Sequence, residues 1–410
     1  MTCSECRIVF DTVAILGGLD EGSEVLSILI VVAVDPQGRI LITNWQYQEI
    51  FVFSETGRFL RTVGRAGDGP GEFRDISGIS TGPRYVHVSE FDRGRTLLDH
   101  AFGFVRRDQF PGQFADFYVT NADDAVLTGN LPSPSSVGHP LHIVSPDGAI
   151  RSFGADPDAA HQGHVPAAIA TGNEELLWVM NYGSASISRW ELAPTPRLVE
   201  TWDREFDEWD RHPRGEDVDP KPITADMFLG GEGLWIAWNA PDPERPPGRP
   251  RDLRPTTPEN DMRDGWIDLV NPATGETIAR HREDDLFLGF AGSSRYLATY
   301  RETAEGIPYL HILNPRLVRE PSREVEIMGA GIPPREDISR SVRRHHPGRL
   351  LSDRSRSYIE QAWGQTHGPA SARTNLGEPG GGRVPWGRQN DEERKRGARQ
   401  QAWTEKRNRQ

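Results

Sequence analysis

Near the start of the chain, short runs of apolar and β-branched residues alternate with polar turns. Residues 33–73 read AVDPQGRILITNWQYQEIFVFSETGRFLRTVGRAGDGPGEF. Four strands are predicted there: Ile30–Val34, Arg39–Thr43, Glu49–Phe53 and Phe59–Val63. Gly38 and Gly57 fall in the turns, after Asp35-Pro36 and Glu55-Thr56. Turn chemistry every ~8–12 residues between β-branched runs signals an antiparallel meander. Four such strands in ~40 residues make one blade of a β-propeller.

The unit recurs. Blades are predicted near 28–73, 78–110, 114–154, 167–202, 226–282 and 286–328, with LHIVSPDGAIRSFG at 141–154 echoing FVFSETGRFLRTVG at 51–64. The segment 8–27 resembles 59–77, so residues 8–16 read as the last strand of a blade placed ahead of the first complete one. Pairing that strand onto the sixth unit closes the ring and removes a free sheet edge. The predicted class is all-β: a six-bladed propeller of four-stranded antiparallel blades over 8–332, closed by its N-terminal strand. A short leader, 1–7, precedes it.

Charge divides the chain. Residues 333–410 carry 17 Arg+Lys against 9 Asp+Glu, whereas 1–332 carry 30 against 51. An acidic body is not built to hold nucleic acid. The basic tail has no strand periodicity and too few apolar residues for a core, so it is expected to be disordered. It reads as a solvated extension, with an electrostatic arm as the alternative. Stretches 203–222 and 241–263 are charged and Pro-rich and read as surface loops. The longest apolar run, Ile28–Val34, is too short to span a bilayer, and no signal peptide is visible at Met1. Nothing in the sequence requires more than a monomer.

GRAGDGPGEFRDISGIS (64–80) resembles the linker of NHL repeats, in which a Gly-rich turn leads through Phe into the next inner strand. ILITNWQYQEIFVFSETGRFLRTVG fits the remainder of that repeat, with Asn44 at the polar position after the second strand. The resemblance implies a ligand- or protein-binding ring, often periplasmic or extracellular, with lyases and lactonases among related propellers. The glycines of 64–71 are read as an inter-blade turn, since no Gly-Lys-Ser/Thr follows them.

Candidate chemistry is sparse. There is no nucleophile elbow and no His-Glu-x-x-His, and no catalytic or cofactor-binding residue is assigned. Cys3 and Cys6, the only cysteines, could form a local disulfide, lie in a frayed leader or supply half a zinc site. His139/His142 and His161/His164 could meet around a metal or be ordinary loop histidines. A polar residue recurs at the end of each unit's second strand: Asn44, Glu90, Asn130, Asn181, Asn239 and Arg301. Equivalent positions in a propeller form a ring around the channel mouth. Such a ring could ligate a cation, with oxygen ligands suiting Ca2+; alternatively each side chain caps its own turn. Trp178, Trp190, Trp202, Trp235, Trp238 and Trp266 read as blade packing. Two functions follow. The first is a scaffold presenting loops to a protein, peptide or glycan. The alternative is a metal-dependent hydrolase or lyase of the kind gluconolactonase-like propellers are.

Overall fold

The structure, a computed structural model, describes Cys3, residues 5–17, Leu26 and residues 31–154, 168–181, 186–203, 223–242, 263–302 and 307–319, without positions 111, 132, 134, 137 and 174. Every described residue lies within the unit Met1–Pro369. The tail 333–410 lies outside the described residues, as do most of the loops expected at 203–222 and 241–263.

Every described element is a strand, and the strands form six four-stranded antiparallel sheets. Blade 1 comprises β2 (Val32–Val34), β3 (Ile40–Asn44), β4 (Glu49–Phe53) and β5 (Phe59–Val63). Blade 2 comprises β6 (Ile76–Thr81), β7 (Tyr85–Glu90), β8 (Gly94–Asp99) and β9 (Phe104–Gln109). Blade 3 comprises β10 (Gln113–Val119), β11 (Ala125–Asn130), β12 (Leu141–Val144) and β13 (Ile150–Phe153). Blade 4 comprises β14 (Ala168–Gly172), β15 (Leu176–Asn181), β16 (Ser186–Glu191) and β17 (Arg197–Asp203). Blade 5 comprises β18 (Ile223–Gly230), β19 (Gly233–Pro241), β20 (Arg263–Val270) and β21 (Thr277–Glu283). Blade 6 holds β22 (Leu286–Phe290), β23 (Leu297–Glu302) and β24 (Pro308–Arg319), and its fourth strand is β1 (Cys6–Gly17).

The ring therefore closes through β1, which runs antiparallel to β24 from Cys6↔Arg319 to Gly17↔Tyr309. This strand takes in Cys6 and Arg7, which the sequence reading placed in the leader. Closure satisfies the outer edge of β24 with backbone partners and ties the start of the chain to the last blade.

Burial follows the order of strands within a blade. All five residues of β3 are buried, whereas β5 is mostly exposed. The middle strands pack between neighbouring blades on both faces, so apolar residues run along them without alternation. In blades 2, 3, 5 and 6 the register between first and second strands slips by one residue, between Ile76/Gly78, Phe114/Asp116, Thr224/Asp226 and Phe287/Gly289. A bulge of this kind increases strand twist, which a fan of radiating sheets requires.

The turn between β22 and β23 crosses the ring. A Cβ on Gly292 would lie 3.2 Å from Ala33 Cβ of blade 1 and 3.3 Å from Ser80 Oγ of blade 2. Ser293 Oγ donates to Val119 O of blade 3 at 2.5 Å and lies 3.3 Å from Ser80 Oγ. One turn of blade 6 thus touches the inner strands of blades 1, 2 and 3 and floors the channel at that end.

Candidate functional site

The two ends of the ring differ in how their strands are joined. At one end the turns joining first to second and third to fourth strands are tight, none longer than Ala291–Tyr296 or Asn271–Glu276. At the other end lie the connections from second to third strands and from blade to blade, and these include 131–140, 154–167, 204–222 and 242–262. The six polar positions lie at this second end. Asn44, Glu90, Asn130 and Asn181 are the last residues of β3, β7, β11 and β15, while Asn239 and Arg301 lie near the ends of β19 and β23.

Their side chains do different work. Glu90 is wholly buried; Oε2 accepts from Arg74 N at 2.9 Å and Oε1 from Thr96 Oγ1 at 2.6 Å, with Arg107 Nε 3.2 Å away. Asn239 clasps the next blade: Nδ2 donates to Phe287 O and Oδ1 accepts from Phe287 N, both at 2.9 Å. Arg301 pairs with Asp285 of its own blade, and burial of the guanidinium is outweighed by that carboxylate, which raises its pKa. Asn130 is exposed, and the side chain of Asn181 is outside the described residues. Asn44 is buried, and neither its Oδ1 nor its Nδ2 has a hydrogen-bond partner. Beside it the turn into β4 leaves Trp45 and Tyr47 37% and 46% exposed. Among the described residues, no group of three or more His, Cys, Asp or Glu is placed to hold a metal ion.

The other candidates resolve locally. Cys3 and Cys6 are joined as a disulfide, so neither thiolate is available to zinc. Cys3 N donates to Ile278 O, which lays this small loop against blade 5. His142 is wholly buried in blade 3, with Nδ1 2.8 Å from Ser152 Oγ and Nε2 3.3 Å from Gly129 O; burial lowers its pKa to about 4. That is a neutral core histidine. His139 is half-buried, and His161 and His164 lie outside the described residues.

The Gly-rich stretch is an inter-blade turn. Glu72 accepts from Gly69 N and from Arg65, and Phe73 N donates back to Arg65 O. Phe73 is wholly buried between blades 1 and 2. Gly64 has φ +80°, and a Cβ there would collide with the Phe73 ring, so close approach of backbone to ring demands glycine. The tryptophans pack: Trp238 stacks on Trp266 with centroids 5.2 Å apart and donates to Asp268 Oδ2 at 3.0 Å.

With this geometry fixed, likeness to known proteins adds a second line. A family model described as a 6-bladed beta-propeller matches residues 23–123, which cover blades 1 and 2 and the start of blade 3. The fold is a six-bladed β-propeller. No curated protein matches the chain. Among solved structures, a member of the DUF4221 family from Bacteroides vulgatus is similar, with TM-score 0.50 and 11% identity over 77% of this chain and 99% of that one. A Bacteroides fragilis protein has TM-score 0.48 and 10% identity over 76% and 95%. A streptogramin B lyase has TM-score 0.38 and 12% identity over 75% and 98%. At such identities the likeness is one of fold, and fold does not carry function with it.

Proposed function

We propose that this propeller is a binding scaffold whose ligand, a protein, peptide or glycan, docks on the end of the ring that carries the long connections. One observation carries the reading: every connection longer than six residues between the strands lies at the end opposite the channel floor, among shorter turns. A rigid ring presents variable loops without disturbing its core, which is where binding residues concentrate. Exposed Trp45 and Tyr47 lie on that end, and aromatic side chains supply contact area there at low entropic cost. The Cys3–Cys6 disulfide supports residence in an oxidising compartment, in keeping with export.

The test is binding to arrayed glycans and to a displayed peptide library. With a ligand in hand, Trp45→Ala with Tyr47→Ala is expected to weaken binding about tenfold or more. Thr56→Ala, on the tight-turn end, is expected to leave it unchanged. Binding insensitive to the aromatic pair and lost on changes at the tight-turn end overturns the reading. Ca2+-dependent hydrolysis of a lactone or lyase turnover, abolished by substitutions at the channel-mouth positions, would put the enzymatic alternative in its place.

A further inference from the structure

Five of the six seams between blades are filled by apolar clusters drawing buried side chains from both neighbours. The seam between blades 2 and 3 is different. Its cluster combines Phe110 with residues of blade 3, and no buried apolar side chain of β6–β9 joins it. Blade 2 meets that apolar face with Arg95 and His87 alongside one buried apolar side chain, Leu97, the strand partner of His87. Arg95, wholly buried, donates to Val144 O at 3.0 Å and Ser145 O at 2.5 Å and pairs with Asp108 at 2.8 Å. His87, also wholly buried, packs its ring 6.2 Å from that of Phe117.

Neither ring nitrogen of His87 has a hydrogen-bond partner, and Nε2 stands 3.7 Å from Asp123 Oδ1. That is an electrostatic contact rather than a hydrogen bond. Asp123, 1% exposed, sits in the turn joining β10 to β11. Its carboxylate is already engaged across the seam, accepting from Arg84 Nε at 2.8 Å, Arg84 N at 3.2 Å and Tyr85 N at 3.3 Å. The channel floor rests on these same two elements. Ser80, where Ser293 touches blade 2, is the strand partner of His87. Val119, which accepts from Ser293, ends β10 and leads into the Asp123 turn.

We propose that His87 is an acid-operated release for the channel floor: when its imidazole takes up a proton, the seam between blades 2 and 3 parts and the Ala291–Tyr296 turn leaves its seat on Ser80 and Val119. The blade-3 face of the seam also carries His142, whose ring nitrogens are satisfied within blade 3 by Ser152 and Gly129; the remaining groups are those around Asp123 and Arg95. Asp123 and Asp108 favour the cation, Arg95 opposes it, and Arg84 holds the Asp123 oxygens that would serve as its counter-ion. Tyr85 adds a ring but no charge at these pH values. Burial dominates and holds the pKa of His87 below its ordinary value. The sign follows from linkage. The open seam hydrates the imidazole and lets it titrate near about 6.5, so the open form binds the proton that the closed form refuses. The closed form is fully favoured above that pH and loses ground as pH falls below it. Among the described residues, His87 is the one histidine with both ring nitrogens buried and without a hydrogen-bond partner. This inference does not depend on what the long-connection end binds.

Both native cysteines are joined, so an introduced thiol reports alone. Ser80→Cys places it under the turn, and Thr56→Cys on the exposed surface gives a reference rate. With an aromatic disulfide reagent, the labelling rate of the Ser80→Cys chain relative to that of the Thr56→Cys chain is expected to rise by up to about tenfold between about pH 7.5 and about pH 5.5, and to stay flat when His87→Leu is added to both. In the unaltered chain, hydrogen exchange is expected to quicken over 76–90, 113–125 and 291–296 and not in blades 4 and 5. A relative rate that does not respond to pH overturns the proposal. So does an equal rise in the presence of His87→Leu, or quickening spread over all six blades alike. Should the leucine variant fail to fold, the exchange pattern of the unaltered chain decides by itself.

Discussion

Replacing Asn239 with alanine separates a blade-tying role from a ligand-holding one. The Asn239 side chain is 1% exposed and makes two 2.9 Å hydrogen bonds to the backbone of Phe287, which is itself wholly buried in β22. Alanine leaves the N–H and C=O of Phe287 without partners in a place water does not reach. Each such group costs about 1–3 kcal/mol, so the loss from the two is about 2–6 kcal/mol. With a urea dependence of about 3 kcal/mol per molar, the unfolding midpoint falls by about 1 M or somewhat more. Tryptophan fluorescence is the natural readout, since Trp235 and Trp238 precede the clasp residue in the same strand. Asn239→Asp keeps an acceptor for Phe287 N–H but sets a carboxylate against a carbonyl, so it is expected to be no milder. Asn130→Ala, exposed at the corresponding strand end of blade 3, is expected to change stability by less than about 0.5 kcal/mol. If the two alanine variants unfold at the same midpoint, the clasp does not hold the blades. If Asn239→Ala instead keeps its stability and loses Ca2+, the channel-mouth ring is a cation site.

Two further outcomes follow from the packing. His142 carries a pKa lowered by burial from 6.5 to about 4, so its contribution is complete above pH 6.5 and is lost as pH falls through that interval, about 3 kcal/mol in all; unfolding midpoints measured against pH should slope less steeply in His142→Gln, and parallel slopes would refute the assignment. On β1, Leu16 is 1% exposed and Ile15 is 55% exposed, so Leu16→Ala should cost about 2–5 kcal/mol in thermal or urea unfolding while Ile15→Ala costs under about 1; equal costs would mean that β1 does not close the ring by packing.

The fold was legible because a blade is a local object. The four strands of blade 1 fall within thirty-odd residues, with glycines at positive φ, Gly38 and Gly57, marking two of the turns that join them. Closure was legible for a similar reason, since residues 8–27 repeat the outer-strand motif of 59–77 before any inner strand has appeared. Of the recurrent polar positions, Asn44, Glu90, Asn130 and Asn181 end their second strands, and Asn239 and Arg301 lie one or two residues short of the end. Their tasks were not readable there, because each task is set by a residue on another strand or blade: Asn239 acts on Phe287 forty-eight positions away, and Glu90 is held by Arg74 and Thr96. Short polar side chains at turn ends carry no mark in the sequence that distinguishes a cap from a clasp.

The seams follow the same logic, and they are where this ring departs from its own repeat. On the face toward the next blade, His87 stands where blades 1 and 4 carry Leu41 and Trp178, each three residues before the polar strand-end position. Read alone, the histidine in YVHVSE is one of three polar residues, with Ser89 and Glu90, in a six-residue strand and carries no distinguishing mark. Only the fold sets it against Asp123, thirty-six residues on, and beneath a turn from blade 6 more than two hundred residues on. A repeat architecture offers few places for control, since every blade solves the same packing problem. On the proposal above, a seam that sets buried Arg95 and His87 against an apolar face makes the ring sensitive to pH at this gap. That gap is the one on which the floor of the channel rests.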